Sequence, residues 1–350
     1  MSDSYEAATN KSESVAEFDH GKRTFVGQVQ HTLHVSPSLV PLMVLISAVI
    51  VFALLLGDRF LSPFALTLIL QQVQIVGIVA LAQSLVILTA GIDLSVGAVM
   101  VISSVVMGQF TFRYGLPPEI AILCGLACGA LCGFISGCLV AIVKLPPFIV
   151  TLGMWQIVLA ANFLYSRNET IRSQDIEAEA GILQFFGERL EIGGAIFTYG
   201  VIFMLVLAVV LAYALRFTAW GRHVYAVGDD PEAAELSGVN VKRTLISVYM
   251  LAGLICAFAG WALIGRIGSV SPTSGQLANI ESITAVVIGG ISLFGGRGSI
   301  MGALFGALIV GVFTLGLRLA GADPQWTNLL IGLLIIAAVG VDQWIRRAAA

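Results

Sequence analysis

The chain has 350 residues, of which 58% are hydrophobic and only 11% are charged, and its formal net charge is −3. A soluble domain averages about 45–50% apolar and about 25% charged residues, so these values exclude an ordinary water-soluble fold. They predict an all-α polytopic protein whose apolar surface is covered by membrane lipid. The chain has no basic cluster, so its charge indicates no nucleic-acid partner.

Apolar runs of about 20 residues predict about ten transmembrane helices. The run from Leu61 to Phe110 would be about 75 Å long as one helix, so it must turn back once. We expect the turn at the sequence AGID, with Gly91 ending the incoming helix in a left-handed conformation and Asp93 accepting the first free N–H groups of the outgoing helix. The other predicted spans are Leu39–Gly57, Glu119–Val143, Pro146–Tyr165, Ile196–Leu215, Thr244–Ile264, Leu277–Leu293, Ile300–Leu317 and Pro324–Val341. The run Leu277–Leu293 is short and is either a full crossing or a re-entrant segment.

Lysine and arginine near the span ends predict the orientation, because short positively charged loops stay in the cytoplasm. These residues are Lys22 and Arg23 before the first span, Arg346 and Arg347 after the last, and Arg216, Arg222, Lys242 and Arg243 in one loop. The predicted arrangement is a polar cytoplasmic tail over residues 1–38, a transmembrane domain over 39–345 with an external loop at 166–195 and a cytoplasmic loop at 216–243, and a cytoplasmic C-terminus over 346–350.

Two short sequences recur and predict a weak internal repeat. GALCG begins at Gly129 and GALFG at Gly302, while AGIDL at Ala90 is echoed by GGISL at Gly289. Internal duplication is common in transporters, and the substrate then lies near the interface of the repeats.

The loop GRHVYAVGDDPEAAELSGVNVKR, which begins at Gly221, carries the signals of a short capped helix. Asp230 suits the N-cap, Pro231 suits the first helical position and Gly238 suits the C-terminal stop. They predict a helix of about two turns. Such a helix is either an ordinary connection with a solvated charged face or a docking element for a cytoplasmic partner.

Amide side chains within the apolar runs are candidates for a substrate pathway. Gln72 and Gln83 are eleven residues apart and fall near one helix face, while Gln156 and Asn162 share another run with Trp155. Amides suit sugar hydroxyls because they both donate and accept hydrogen bonds. They equally suit hydrogen bonds between helices, so packing is the competing interpretation.

Two acidic residues lie in apolar surroundings, where a charged group is costly and is usually retained for function. Asp93 is a further candidate for the substrate pathway, although its capping position favours a structural or gating role over proton transfer. Glu281 follows a polar stretch near the predicted outer surface and could be solvated there.

The chain carries no recognisable catalytic motif. The sequence contains no G-x-x-x-x-G-K-[ST], H-E-x-x-H or G-x-S-x-G motif, which predicts a protein that is not an enzyme. If ATP drives the protein, another polypeptide must hydrolyse it. Cys124, Cys128 and Cys132 recur at helical spacing and could hold a metal, but we favour small residues at a helix interface and predict no metal site.

Several segments resemble one family of membrane transporters. EAAELSG, beginning at Glu232, resembles the E-A-A-x-x-x-G coupling helix of ATP-binding-cassette (ABC) import permeases, which rests in a groove of the ATPase subunit. LTAGIDLSVG, LPPFIVTLGM and AVVIGGISLFGGRGSIMGALFGALIVG resemble the ribose/xylose/arabinose branch of ABC sugar permeases. FDHGK, GMWQIVLA, AVGDDPEAAELSGVNV and ADPQW are most similar to fructose-import permeases of the rhizobial type. The resemblance extends from about Leu39 to Arg347.

The resemblance implies a homodimeric permease in the bacterial inner membrane that works with a cytoplasmic ABC ATPase and a periplasmic sugar-binding protein. It implies import of a monosaccharide, fructose first with ribose and mannose as alternatives. ATP and Mg²⁺ would bind the ATPase, with no cofactor in this chain. The residues implied in coupling are Asp230, Pro231, Glu232, Ala233, Ala234, Glu235 and Gly238. The alternative is a stand-alone sugar transporter coupled to protons or sodium, which would need carboxylates or unwound backbone at the membrane midplane.

Overall fold

The computed structural model describes residues 38–275 and 277–349, so the tail predicted over residues 1–38 lies outside the described residues except for its last residue. The first helices are α1 (Leu39–Leu56), α2 (Asp58–Leu61), α3 (Pro63–Leu88), α4 (Val96–Phe112), α5 (Pro118–Ala141) and α6 (Pro147–Ser166). A connecting segment follows with α7 (Ser173–Glu179), a 3₁₀ helix (Gly181–Gly187), β1 (Arg189–Ile192) and β2 (Ala195–Thr198). The last helices are α8 (Tyr199–Phe217), α9 (Ala219–Asp229), α10 (Pro231–Leu236), α11 (Val241–Ile267), α12 (Ala278–Ile288), α13 (Ile300–Leu319) and α14 (Pro324–Ala349).

Seven of these helices are long and apolar enough to cross a membrane, and three shorter apolar helices occupy the remaining predicted spans. The shorter ones are α4, α12 and the part of α14 over Gln325–Gly340. The prediction of an all-α polytopic fold is therefore confirmed. α12 has 11 residues, about 16 Å of helix, which is roughly half the hydrocarbon core of a bilayer. The non-helical residues on either side of α12 must complete any crossing.

α3 is the central helix of the bundle, and every residue from Val73 to Leu88 is buried. Its sequence is apolar on all sides, which is the pattern of a helix enclosed by other helices. α8, α11, α12 and α13 pack around it. The buried polar side chains of α3 therefore face other parts of the protein rather than lipid.

α5 and α11 form the most extensive helix–helix contact among the described residues, and glycine makes it possible. Gly125, Gly129, Gly133 and Gly137 form a stripe at four-residue spacing on α5. A Cβ at Gly129 would lie 2.6 Å from the carbonyl oxygen of Gly253 on α11, which is too close for carbon and oxygen. At the GALCG segment, the backbones of α5 and α11 thus approach closely, which is the small-xxx-small type of helix packing.

Three of the four cysteines of the same helix flank this crossing. Cys124, Cys128 and Cys132 are partly buried free thiols. Among the described residues, no group of three His, Cys, Asp or Glu side chains is placed to hold a metal ion.

The segment predicted as a loop over residues 166–195 is folded, and its last part is an antiparallel hairpin of β1 and β2. The prediction of a span beginning at Ile196 is wrong, because α8 begins only at Tyr199. The hairpin is tied to α3, since the N–H of Ile196 donates to the Thr67 hydroxyl at 2.8 Å. We call the end of the bundle that carries this segment the hairpin end, and the opposite end, which carries α9 and α10, the α10 end.

Candidate coupling and transport sites

α10 is a short helix with both ends capped as the sequence predicts. The carboxylate of Asp230 accepts hydrogen bonds from the N–H groups of Glu232 at 2.9 Å and Ala233 at 3.0 Å. After the last helical residue, Leu236, Gly238 adopts a φ of 86°, a left-handed conformation that favours glycine. These caps satisfy the backbone groups that a six-residue helix would otherwise leave free.

Most of α10 faces away from the bundle. Its exposed residues are Pro231, Glu232, Ala233, Glu235 and Leu236, whereas Ala234 is buried against the protein. Leu236 is 90% exposed, which is unusual for a large apolar side chain. The helix therefore presents an acidic and apolar surface whose shape is set within the chain itself.

α9 lies directly before α10 and was missed in the sequence analysis. Its apolar residues at 220, 224 and 227 follow the helical period, which could have revealed it. The indole Nε1 of Trp220 donates to the Ser247 hydroxyl at 2.8 Å, and the Tyr225 hydroxyl donates to the carbonyl oxygen of Gly298 at 2.9 Å. Burial raises the pKa of the Tyr225 phenol, which keeps this donor protonated. α9 is thus fixed to α11 and to the loop after α12.

Three backbone segments meet at the end of α9. A Cβ at Gly228 would overlap the carbonyl oxygen of Leu88, the last residue of α3, and would lie 2.7 Å from the amide nitrogen of Gly296. The N–H of Gly296 donates to that same Leu88 oxygen at 3.0 Å. We call Leu88, Gly228 and Gly296 the glycine junction. It joins α9 to the turn after α3 and to the loop after α12.

The turns after α3 and α12 share one hydrogen-bond pattern, in which a residue with positive φ closes a Schellman-type helix end. The bonds are Ala90 N–H to Ile87 O (2.9 Å) and Gly91 N–H to Val86 O (3.1 Å) after α3, and Gly290 N–H to Val287 O (3.0 Å) and Ile291 N–H to Val286 O (3.2 Å) after α12. The similar sequences AGIDL and GGISL therefore lie in turns of similar backbone structure that touch at the glycine junction.

Two details predicted for the first turn are wrong. Ala90, with φ of 60°, takes the left-handed position that we expected at Gly91. Gly91 is required for space instead, because a Cβ there would lie 2.6 Å from the hydroxyl oxygen of Tyr249.

Asp93 was expected to accept the first free N–H groups of α4, and it does not. Its carboxylate accepts from the N–H of Ser95 at 2.7 Å and from the Ser95 hydroxyl at 2.6 Å, before the helix begins. The N–H of Gly97 in the first turn of α4 is bound by the side-chain oxygen of Asn279 on α12. A neighbouring helix has therefore taken the capping role, which a single-helix argument could not foresee.

Gln83 holds the same turn and lines none of the three cavities described below. It is fully buried in α3. With its amide oriented to satisfy both partners, it donates to the carbonyl oxygen of Asp93 at 3.0 Å and accepts from the N–H of Asp93 at 3.2 Å. Of the two predicted roles for Gln83, this geometry favours packing.

Gln72 lies in a cavity of about 630 Å³ between α3, α12, α13 and α14, near the hairpin end, whose wall is mostly apolar with several polar side chains among it. The polar residues lining this cavity are Gln72, Glu281, Thr284, Thr314, Arg318, Thr327 and Asn328. An adjoining cavity of about 150 Å³ adds Gln71 and Arg266. The guanidinium of Arg266 donates to the side-chain oxygen of Gln72 at 2.9 Å. We call these two spaces together the polar cavity.

Asn162 and Trp155 line a separate space of about 80 Å³ with Gly97 and Pro272. Asn162 is 1% exposed, and its amide nitrogen donates to the carbonyl oxygen of Pro272 at 2.9 Å, which ties α6 to the segment before α12. Gln156 lies on the exposed face of α6 and lines none of these cavities. The structure therefore does not bring the five predicted pathway residues together.

Within the described ranges, ten apolar helices form a bundle with a cavity and a projecting capped helix, which is the architecture of a polytopic membrane protein. The chain belongs to the family described as branched-chain amino acid transport system / permease component, which matches residues 65–339.

Curated relatives extend this similarity along most of the chain. The fructose import permease protein FrcC of Rhizobium meliloti is 72% identical over 341 residues, covering 97% of this chain and 95% of the relative. The ribose import permease protein RbsC of Bacillus subtilis is 37% identical over 84% of this chain and 89% of its own. The galactose/methyl galactoside import permease protein MglC of Escherichia coli is 34% identical over 84% and 90%. No solved structure matches the chain.

Proposed function

We propose that this chain is the membrane-spanning permease subunit of an ABC sugar importer, and that α10 docks on the cytoplasmic ATPase. The observation that carries this proposal is the rigid connection of α10 to the bundle. Asp230 is the only residue between α9 and α10. Near the end of α9, Gly228 touches Leu88 and Gly296 at the glycine junction. A displacement of α10 would therefore reach both turns without passing through a flexible linker.

This function sets the orientation and the partners. The α10 end faces the cytoplasm, the hairpin end faces the periplasm, and both termini are cytoplasmic in a bacterial inner membrane. A second copy of the chain completes the permease, and a periplasmic sugar-binding protein docks at the hairpin end. ATP and Mg²⁺ bind the ATPase, and this chain supplies no cofactor site. Membrane lipid covers the exposed apolar residues of the spans.

The proposed cargo is fructose. The relative that shares 72% identity over nearly the whole chain is a fructose import permease. The ribose and galactose permeases are similar at 34–37% identity, which makes ribose the second candidate. The choice among sugars rests on these relatives, because hydroxyl-binding amides and carboxylates suit all three.

The mechanism is alternating access driven through the glycine junction. Beyond Gln72, α3 is buried continuously to Leu88, so the packed core separates the polar cavity from the α10 end. Closure of the ATPase subunits on ATP would pull α10 and α9. That motion would strain the hydrogen bond between Gly296 and Leu88 and separate the two turns, opening the pathway toward the cytoplasm.

The test compares two exposed leucines in proteoliposomes that hold this chain, its ATPase and the binding protein. Leu236→Asp removes the exposed apolar residue of α10, and Leu190→Asp is the control on the hairpin, where Leu190 is 42% exposed. We expect Leu236→Asp to abolish ATPase binding and therefore uptake, whereas Leu190→Asp, which lies at the opposite end of the bundle, should bind the ATPase as the wild type does. Full uptake by Leu236→Asp, or equal uptake without the ATPase, would overturn the proposal.

A further inference from the structure

We infer that the polar cavity is a monosaccharide-binding station on the transport path, with Gln72, Glu281 and Arg318 as its recognition groups. The inference rests on the proposed function and names the place where the sugar is received from the periplasmic side. Its volume of about 630 Å³ lies within the range of small-molecule sites, about 300–1,000 Å³.

The charged lining indicates that the cavity holds water or a polar ligand. Glu281 is partly buried and Arg318 is exposed, and neither makes a hydrogen bond or salt bridge with another described residue. Arg266 donates to Gln72, and its guanidinium also interacts electrostatically with the Glu281 carboxylate. Charged side chains at membrane depth are costly unless they face a water-filled cavity or a partner. The charges of Glu281 and Arg266 offset each other in part, and water in the cavity would solvate these groups together with the exposed Arg318.

The lining offers both kinds of hydrogen-bonding group at short range. The Glu281 carboxylate accepts, the Arg318 guanidinium donates, and the amide nitrogen of Gln72 donates while Arg266 holds its oxygen. A sugar ring presents hydroxyls that both donate and accept on several sides, which matches this mixture. Apolar residues such as Val73, Val76 and Ile335 complete the wall and suit the C–H faces of a ring.

The position of Gln72 fits a receiving station. It is the tenth residue of α3, about 14 Å along the helix from its start at the hairpin end. From there α3 continues for about 24 Å to Leu88 through fully buried core. A sugar in the polar cavity would thus lie between the hairpin end and the buried part of α3.

The first experiment measures sugar molecules moved per ATP hydrolysed by the complete importer in proteoliposomes. The variant is Gln72→Ala with Glu281→Gln, and the control is Gln156→Ala, an amide on the exposed face of α6. Each lost group is expected to cost about two- to tenfold. We therefore expect roughly a tenfold lower ratio for the double variant, with ATP hydrolysis retained and the control unchanged. A double variant that keeps the wild-type ratio would overturn the inference.

The second experiment tests the cavity without transport. Thr314→Cys is labelled with a water-soluble maleimide, against Leu164→Cys, which is 81% exposed on the membrane-facing surface of α6. We expect Thr314→Cys to react at least tenfold faster than Leu164→Cys, and millimolar fructose to slow it whereas leucine does not. Equal labelling rates, or protection by leucine alone, would contradict the inference that the polar cavity binds a monosaccharide. Fructose-protected labelling of Thr314→Cys together with no ATP-driven uptake by the wild type would instead overturn the proposed function.

Discussion

Gly228→Ala should uncouple ATP hydrolysis from transport, because one added methyl group disturbs the glycine junction. The new Cβ would lie 2.7 Å from the amide nitrogen of Gly296 and 2.9 Å from the carbonyl carbon of Leu88. Ordinary contacts for such atoms are about 3.5–4.0 Å. The nearest atom, the carbonyl oxygen of Leu88, would overlap the new Cβ, so α9 must move away by more than about 1 Å or the hydrogen bond from Gly296 to Leu88 must break.

Three free-energy contributions decide whether Gly228→Ala stabilises or destabilises the protein. Alanine in place of a mid-helix glycine contributes about 0.5–1 kcal/mol of stability, which is an upper bound here because Gly228 is the second-last residue of α9. Overpacking a filled contact costs about 1–3 kcal/mol, and loss of the hydrogen bond costs about 0.5–1.5 kcal/mol. We expect a net destabilisation of about 1–3 kcal/mol that is confined to the junction, since the variant leaves the α5–α11 crossing intact.

The assay measures sugar uptake and ATP hydrolysis together in proteoliposomes with the complete importer. Gly153→Ala is the matched control, because a Cβ at Gly153 meets nothing within 4 Å. Gly228→Ala is expected to retain ATPase binding but to lose at least about fivefold in sugar moved per ATP, while the control equals wild type. A Gly228→Ala variant with wild-type coupling would refute the assignment of the junction as the transmission point.

Three further predictions follow from other contacts. Asp230→Ala removes the cap of α10 and should cost about 0.5–2 kcal/mol of local stability. A binding assay would detect this loss as roughly a tenfold weaker affinity for the ATPase. The control Asp229→Ala changes the adjacent exposed aspartate, which makes no capping bond, and should bind the ATPase normally. Gly133→Val would drive a side chain into the backbone carbonyl of Tyr249, so thermal unfolding in detergent should occur at a clearly lower temperature, and an unchanged midpoint would contradict the close crossing. Gln83→Leu leaves both backbone groups of Asp93 without their partner, so it should cost about 1–3 kcal/mol per unsatisfied group in a denaturation assay.

Features that depend on one short stretch of chain could be predicted from the sequence. Asp230 and Gly238 cap α10 through bonds that span only a few residues, and the sequence predicts both. The span positions follow in the same way from apolar length, because the bilayer demands about 20 residues per crossing. α9 also carries a helical period, but its short polar sequence gave no apolar run to attract notice.

The rest depends on contacts between distant segments. Gln72 and Gln83 fall near one face of α3 by spacing, yet one lines a cavity and the other binds the backbone of Asp93. Asn279, far along the chain, takes the N–H of Gly97 that we had assigned to Asp93. Helical periodicity describes one helix at a time, so it cannot show which neighbouring helix covers each position.

The most direct test of the central claim is the accumulation of labelled fructose in proteoliposomes that contain this chain, its binding protein and, in one half of the samples, the ATPase. We expect accumulation only with the ATPase, internal ATP and Mg²⁺. Accumulation to the same level in vesicles without the ATPase, driven by a proton or sodium gradient, would contradict it and identify a secondary transporter.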